Sequence, residues 1–284
     1  ANTAMGSLAS DAITTGDNNV SVGYLSLSAN TTGEKNTAIG SNALRSTTTG
    51  PNNTGVGFNA LYSTLAGNHN IAVGSCALYT NVGADRNTAV GSQALYTMTG
   101  TSDNNNTAVG YSTGKFVTDG ICNTFMGAEA GDNTTTGDNN TTIGFAARSS
   151  SATVDNEITL GNGNNDNLRC ADTSISSLSD LRDKTNIEDI PHGLEYILAL
   201  RPVKFDWNTR DGTRIGKKDY GFIAQELDQV EETFGNREYT RLVSKENFDK
   251  WETDPMKTYP ILIKAIQELS EENKDLKSRI EALE

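Results

Sequence analysis

The sequence predicts a multidomain chain. An all-β repeat solenoid comes first, then a small α+β module, then a C-terminal coiled-coil helix. Three observations predict this. A five-residue motif returns at a step of 17 through the first 161 residues. The composition changes at Ser179: residues 1–178 hold 6 Lys+Arg and 13 Asp+Glu, whereas 179–284 hold 17 and 23. From Leu262 to Leu283, apolar residues recur at alternating four- and three-residue steps. The expected boundaries are 1–161 for the repeat segment, 162–178 for a linker, 179–257 for the module and 258–284 for the coiled coil.

The repeat motif is Asn, a short residue, Ala or similar, an aliphatic, Gly. It starts at Asn2, Asn19, Asn36, Asn53, Asn70 and Asn87, slips by two residues through 101–105, and resumes at Asn106, Asn123 and Asn140, with a degenerate copy at Glu157. A fixed period over that length signals repeat architecture rather than disorder, although the Asn/Thr/Ser/Gly composition alone would permit disorder. Leu27, Leu44, Leu61, Leu78 and Leu95 each follow the repeat's Asn by eight residues, and turns such as Thr15-Gly16-Asp17-Asn18 precede it. Each repeat therefore reads as a short strand, a Gly corner, a second short segment and a turn. One or two aliphatics per repeat make no core alone. Stacked repeats pile aliphatics of like phase into one core and let the Asn side chains form a ladder. Ten rungs at about 4.7 Å give a stack of about 45 Å. So thin a core favours oligomers.

The formal charge of −13 argues against nucleic-acid or anionic-membrane partners. No apolar run reaches the length of a membrane span, so no membrane insertion is expected. The sequence opens in mid-repeat without an initiator Met and reads as a fragment. Cys76, Cys122 and Cys170 lack metal-type spacing and read as unpaired thiols. His69 and His192 read as loop or surface residues. No cofactor and no metal are expected.

In the second half, Leu194, Ile197 and Leu198 are spaced for a short helix after Pro191-His192-Gly193. Arg201 to Trp207 alternates, with Val203, Phe205 and Trp207 on one face, and predicts a strand. Asp211-Gly212 signals a turn. Tyr220 to Ala224 predicts a second strand running into a helix with Leu227 and Val230, and Tyr239 to Val243 a third. The tail from Tyr259 is a helix with an a/d seam of Leu262, Ile266, Leu269, Asn273, Leu276, Ile280 and Leu283. Ile at a with Leu at d leans toward dimers, whereas the thin-cored repeat leans toward a trimer. The trimer is the reading adopted here.

Two resemblances follow. The Asn-x-Ala-Val-Gly units followed by Ser-x-Ala-Leu, over residues 1–161, resemble the head repeats of trimeric autotransporter adhesins, which form left-handed β-rolls that trimerise. Their usual repeat is shorter than 17. Four features at 179–284 closely resemble the intramolecular chaperone of endosialidases and other phage tail spikes, a self-cleaving peptidase family. They are Ser179-Asp-x-Arg-x-Lys184 followed by Asn186-Ile187, Leu200-Arg-Pro-Val-x-Phe205-x-Trp207, Tyr220-Gly-Phe-Ile-Ala-Gln-Glu226, and the terminal heptads. The resemblance implies a homotrimer of a viral tail fibre or spike, residing in the virion and assembled in the host cytoplasm. Its module would bring a β-fibre into register and then be released by serine–lysine self-cleavage. Non-cleaving trimerisation is the alternative. A host-surface receptor or glycan is a possible partner, with Tyr62, Tyr79, Tyr96 and the two-residue slip as markers. No pair of acidic residues breaks the repeat's phase, so a glycan hydrolase finds no support.

At the joint, the candidate catalytic residues are Ser179 and Lys184, and the candidate cleavage site is Leu178–Ser179, with 179–180 the runner-up. A serine needs a base. No His is placed to act, and a neutral Lys184 would serve. Five residues along a helix put side chains about 140° apart, and along a strand on opposite faces. So either a turn at Asp180–Asp183 intervenes, or Lys184 comes from a neighbouring subunit. The turn is favoured. Asp180 and Asp183 would keep Lys184 charged unless they point away or pair with Arg182. Ser followed by Asp also reads simply as a helix cap.

Overall fold

The computed structural model describes residues 1–101, 103–165, 168–169, 179–210, 212, 214–235, 237–245 and 251–283. The chain divides into two compact units, Ala1–Asn165 and Asp166–Glu284. The turn residue Asp211, the thiol Cys170, the cleavage-site residue Leu178 and most of the expected linker lie outside the described residues.

The first unit is a β-solenoid. Its ten strands, each three residues long, run from β1 (Thr3–Met5) through β4 (Thr54–Val56), β5 (Ile71–Val73), β6 (Thr88–Val90), β7 (Thr107–Val109) and β8 (Thr124–Met126) to β10 (Ile158–Leu160). Each pairs in parallel with the next, in sequence order. Like phases face each other: Thr37 pairs with Thr54, and Ala72 with Ala89. The two-residue slip falls between β6 and β7, where Thr88 pairs with Thr107 and the core column is undisturbed. An isolated bridge, Asp85 to Asp103, holds the longer turn, and Arg86 ion-pairs with Asp103.

The corner after each strand needs glycine. Gly74 has φ +138°, and a Cβ there would lie 2.5 Å from the carbonyl oxygen of Gly91 on the next rung. The leucine that follows is also left-handed: Leu27, Leu44, Leu61, Leu78 and Leu95 have φ between 46° and 53°. That conformation is unfavourable for a side chain with a Cβ. Complete burial of every one of the five leucines offsets it.

The core differs from the expectation in one respect. From the second strand to the ninth the inward residue is the middle one, Ala38, Ala72, Ala89 and Ala108 among them being fully buried. The strand aliphatics Ile39, Val73, Val109, Met126, Ile143 and Leu160 point outward and stay 36–54% exposed. A three-residue strand with period-two alternation cannot bury both its middle and its last residue on one face. The buried column is thus Ala and Leu, with an apolar stripe outside.

The Asn side chains form the expected ladder. Asn53 Oδ1 accepts from Asn70 N at 3.0 Å, and Asn70 Nδ2 donates to the Ala84 carbonyl at 2.8 Å. Asn70 Oδ1 in turn accepts from Asn87 N at 3.0 Å. Asn36 through Asn123 are fully buried at this phase, so each rung satisfies backbone groups of the next.

The second unit opens with α1 (Leu194–Ala199), followed by the antiparallel hairpin β11 (Val203–Asp206) and β12 (Lys218–Gly221). Then come α2 (Ala224–Phe234), α3 (Arg237–Thr240), the short pair β13 (Val243–Ser244) and β14 (Glu252–Thr253), and α4 (Tyr259–Glu281). Tyr196, Leu242 and Ile261 centre its core, with Ile190, Ile197, Leu200, Val230 and Phe234 packed around them. The second strand ends at Gly221 rather than Ala224, because Ile223 already stands at the start of α2. The expected strand at 239–243 is reduced to Val243, the start of β13, while Tyr239 and Thr240 end α3. The fully buried Glu231 carboxylate takes hydrogen bonds from the Thr240 hydroxyl and from Leu242 N, which pulls the segment into a turn.

The helix α4 serves two faces. Ile261 and Ala265 are buried, and Glu268 Oε2 accepts from Leu194 N at 2.7 Å, closing the N-terminus of α1. Leu262, Ile266, Leu269, Leu276 and Ile280 lie 42–58% exposed along the other side. No helix among the described residues is long and apolar enough to cross a membrane.

Candidate functional site

The site is a single turn at the start of the described module. A 3-10 turn, Leu181–Asp183, separates extended residues on either side: Asp180 has ψ 136° and Lys184 has φ −122° and ψ 141°. Asp183 N donates to the Asp180 carbonyl at 3.1 Å, and Lys184 N to the Leu181 carbonyl at 3.2 Å. This turn doubles the chain back over five residues, which no regular element would do. It brings Lys184 Nζ to 2.6 Å from Ser179 Oγ, within one chain.

The capping role falls to Asp180, whose Oδ1 accepts from Arg182 N at 2.9 Å. Ser179 is not the cap and keeps its hydroxyl for Lys184. Asp180 is also clamped by the Arg182 guanidinium, at 3.0 Å to Nε and 2.6 Å to Nη2. Those bonds, the side-chain ones first, hold the Asp180 carboxyl below the usual range and raise Arg182. The Asp180 carboxylate is thus committed to Arg182 rather than to Lys184. All of residues 179–189 are exposed in the single chain.

An amine at this distance has two uses. Protonated, it donates to the serine oxygen and is a surface hydrogen bond. Neutral, it accepts the hydroxyl proton and makes the oxygen a nucleophile.

The other motif residues converge elsewhere in the module. Leu200, Phe222, Ile223, Leu227 and Val230 line a groove of about 430 Å³. Arg201 and Glu226 form a two-pronged ion pair at it, with Nε to Oε2 at 2.9 Å. The spacing of these motifs did not suggest that they would share a groove.

The remaining candidates are placed as follows. Cys76 and Cys122 are free. His69 hydrogen-bonds Asn68 at 2.6 Å, and His192 packs edge-on against Phe234 at 5.2 Å. No metal-type cluster occurs among the described residues. Tyr62, Tyr79 and Tyr96 stack face to face at 5.0 Å, and Arg45 donates to the Tyr62 hydroxyl at 2.9 Å. The inner ring faces are used up by this stack, which leaves edges and hydroxyls outward.

Residues 179–236 match the family described as chaperone of endosialidase, a peptidase family of self-cleaving intramolecular chaperones. The match opens on Ser179 and takes in the turn, α1, the hairpin and α2. No curated protein and no solved structure matches the chain.

Proposed function

We propose that residues 179–284 are a self-cleaving assembly chaperone for the solenoid before them. The observation that carries the proposal is the 2.6 Å approach of Lys184 Nζ to Ser179 Oγ at the first residue of the family match. In this reading the hydroxyl proton passes to neutral Lys184. Ser179 Oγ attacks the Leu178 carbonyl carbon, the peptide C–N bond breaks, and the Ser179 nitrogen takes up a proton. Water then opens the resulting ester to a Leu178 carboxylate and a free Ser179 hydroxyl. The fibre ends at Leu178, and Ser179–Glu284 departs as a single-turnover peptidase.

The base sets the condition. An ordinary lysine has a pKa of about 10.4, so holding it neutral at pH 7 costs about 4.6 kcal/mol. Burial in an apolar interface supplies shifts of that size. Lys184 is exposed in the single chain, so assembly would provide the burial and cleavage would report it. Two unpartnered apolar surfaces support a homotrimer: the α4 seam and the outward stripe of strand aliphatics. The product would be a tail fibre or spike of a virus-like particle, assembled in the host cytoplasm. The Tyr62–Tyr79–Tyr96 column is the place to seek a receptor or glycan.

Denaturing electrophoresis of the expressed chain tests the proposal. Two fragments are expected from the wild type and one uncut chain from Ser179→Ala and from Lys184→Ala. The exposure of Lys184 favours a second reading, in which its ammonium only donates to Ser179 and the module trimerises without cutting. An uncut wild type would select it.

A further inference from the structure

Local bonds hold the dyad. No residue of the Leu181–Asp183 turn is buried, and Ile190 is the first residue beyond it to pack on the module core. The 2.6 Å approach of Lys184 Nζ to Ser179 Oγ is therefore fixed by the turn itself. Two backbone hydrogen bonds close it, from Asp183 N to the Asp180 carbonyl and from Lys184 N to the Leu181 carbonyl. Three more end on one carboxylate. Asp180 Oδ1 accepts from Arg182 N at 2.9 Å and from Arg182 Nε at 3.0 Å, and Oδ2 accepts from Arg182 Nη2 at 2.6 Å. Arg182 thus takes both oxygens, one of them twice, with its backbone and its planar fork. The carboxylate so held is next to Ser179 in sequence and four residues before Lys184. A free aspartate there would compete with Ser179 for the amine. An opposite charge within about 4–6 Å also favours the ammonium over the neutral base.

We infer that Arg182 is a positioning residue for the dyad and acts through Asp180: by binding both carboxylate oxygens it keeps them from Lys184 and leaves the amine to Ser179. The inference rests on the self-cleavage proposed above and names a residue outside the pair on which its rate depends. The other charged groups of the exposed segment 179–189 are Asp183, Glu188 and Asp189. None of the four carboxylates forms an ion pair with Lys184 among the described residues, whereas Asp180 pairs with Arg182. Asp180 has two separable properties. Its Oδ1 caps the turn at Arg182 N, a bond that an asparagine oxygen makes about as well. Its negative charge is not needed for that bond and works against a neutral lysine, and the guanidinium offsets it. Arg182 therefore matters to the dyad only while residue 180 carries a charge.

The test measures self-cleavage of the full chain between pH 6 and pH 10, with Arg182→Gln placed in two backgrounds, the wild type and Asp180→Asn. In the wild-type background the change frees a charged Asp180. Cleavage at pH 7 is expected to slow about tenfold, the equivalent of one unit in the base, and the loss to shrink as pH rises. In the Asp180→Asn background the cap is kept and no charge is left to hold, so Arg182→Gln is expected to change neither the rate nor its pH profile. A purely structural Arg182 would give the same loss in both backgrounds and at every pH, and that result would overturn the inference. An unchanged rate in the wild-type background would also overturn it. Light scattering in the uncut Ser179→Ala chain reads assembly, which Arg182→Gln is expected to leave intact. Loss of assembly would overturn the inference too, by making Arg182 part of a joint between copies. Failure of the parent reading looks different: an uncut wild type, or cleavage that survives Lys184→Ala.

Discussion

Replacing Phe125 by Ala should open the largest cavity available in the solenoid, and adding leucine to its neighbours should close it. Most rungs from the second to the sixth bury a small residue in the strand and a leucine six residues later, as with Ala72 and Leu78. At β8 the strand residue is Phe125, fully buried, and the leucine positions of its own rung and the one before are Gly131 and Gly114. A Cβ on Gly131 would meet the Phe125 ring at 2.1 Å, and one on Gly114 would meet it at 2.8 Å. One ring thus occupies the space of two leucines. Phe125→Ala should cost about 3–5 kcal/mol, toward the upper end because neither glycine can fill the void. Gly131→Leu alone should be destabilising, by about 1–3 kcal/mol, from overpacking. In the Phe125→Ala background the same change should recover about 2 kcal/mol, and adding Gly114→Leu should recover most of the rest. The left-handed backbone at Gly131, φ +64°, does not forbid this, since five leucines already adopt it at this phase. Urea unfolding of the uncut Ser179→Ala chain and its four variants, followed by circular dichroism, gives the five stabilities. The coupling between the sites is the decisive quantity. If Gly131→Leu destabilises both backgrounds equally, Phe125 does not hold the leucine space and the reasoning is refuted.

Other expectations follow from single contacts. Asn70→Ala should cost about 1–3 kcal/mol for the Asn87 N–H it orphans, read as a lowered urea midpoint, whereas the Ala84 carbonyl keeps its bond from Asn81 Nδ2. Glu268 is held below the usual carboxylate range, chiefly by the Leu194 N–H. A depressed carboxyl stabilises above its unfolded pKa, about 4.3, and loses that contribution as pH falls through its lower folded value. The melting-temperature advantage over Glu268→Gln should therefore be constant near neutrality, begin to shrink as pH falls below about 4.3, and vanish only once the pH is below the lower folded value. Leu269→Lys, on the exposed seam, should leave the module's circular dichroism unchanged and abolish assembly in sedimentation.

The solenoid was legible because its period is arithmetic: the parallel register repeats the sequence's own step, and the Asn ladder sits where the spacing puts it. The direction of the strand side chains was not legible. Thr-Ala-Val reads equally well with Ala or with its neighbours inward, and only the leucine at φ near +50° decides it, by filling the space beside Ala. The Phe125 exchange had a signal in the missing leucines at 114 and 131, visible once the aromatic two residues after Asn123 is set against them. In the module, Tyr239–Val243 carried strand-forming residues, but a carboxylate eight residues upstream of Tyr239 took its polar groups. Local propensity loses to a buried charge seeking donors. The turn between Ser179 and Lys184 followed from their five-residue spacing and Arg182's availability to Asp180, whereas the shared groove of the Leu200 and Tyr220 motifs depended on how α1 meets α2.

In the proposed assembly, register between copies is the problem that both units would have to solve. Two solenoids displaced by one rung still present Ala, Leu, Asn and Gly at matching heights, because the step is 17 residues almost throughout. A slipped pair would thus forfeit little contact and be hard to reject. Three features break the sameness: the longer turn between β6 and β7, the Tyr62–Tyr79–Tyr96 stack, and the Phe125 rung. All lie between the fourth and eighth rungs, so they discriminate only after much of each chain is stacked. A C-terminal seam that aligns the copies first would remove the ambiguity before it arises. Deleting Ser102 and Asp103 restores the 17-residue step and removes one discriminator. The deleted chain should keep its β content. With the module intact it should assemble like the wild type, but with Leu269→Lys added it should give mixed species in sedimentation. Mixed species from the deletion alone would mean that the turn, and not the C-terminal helix, sets the register.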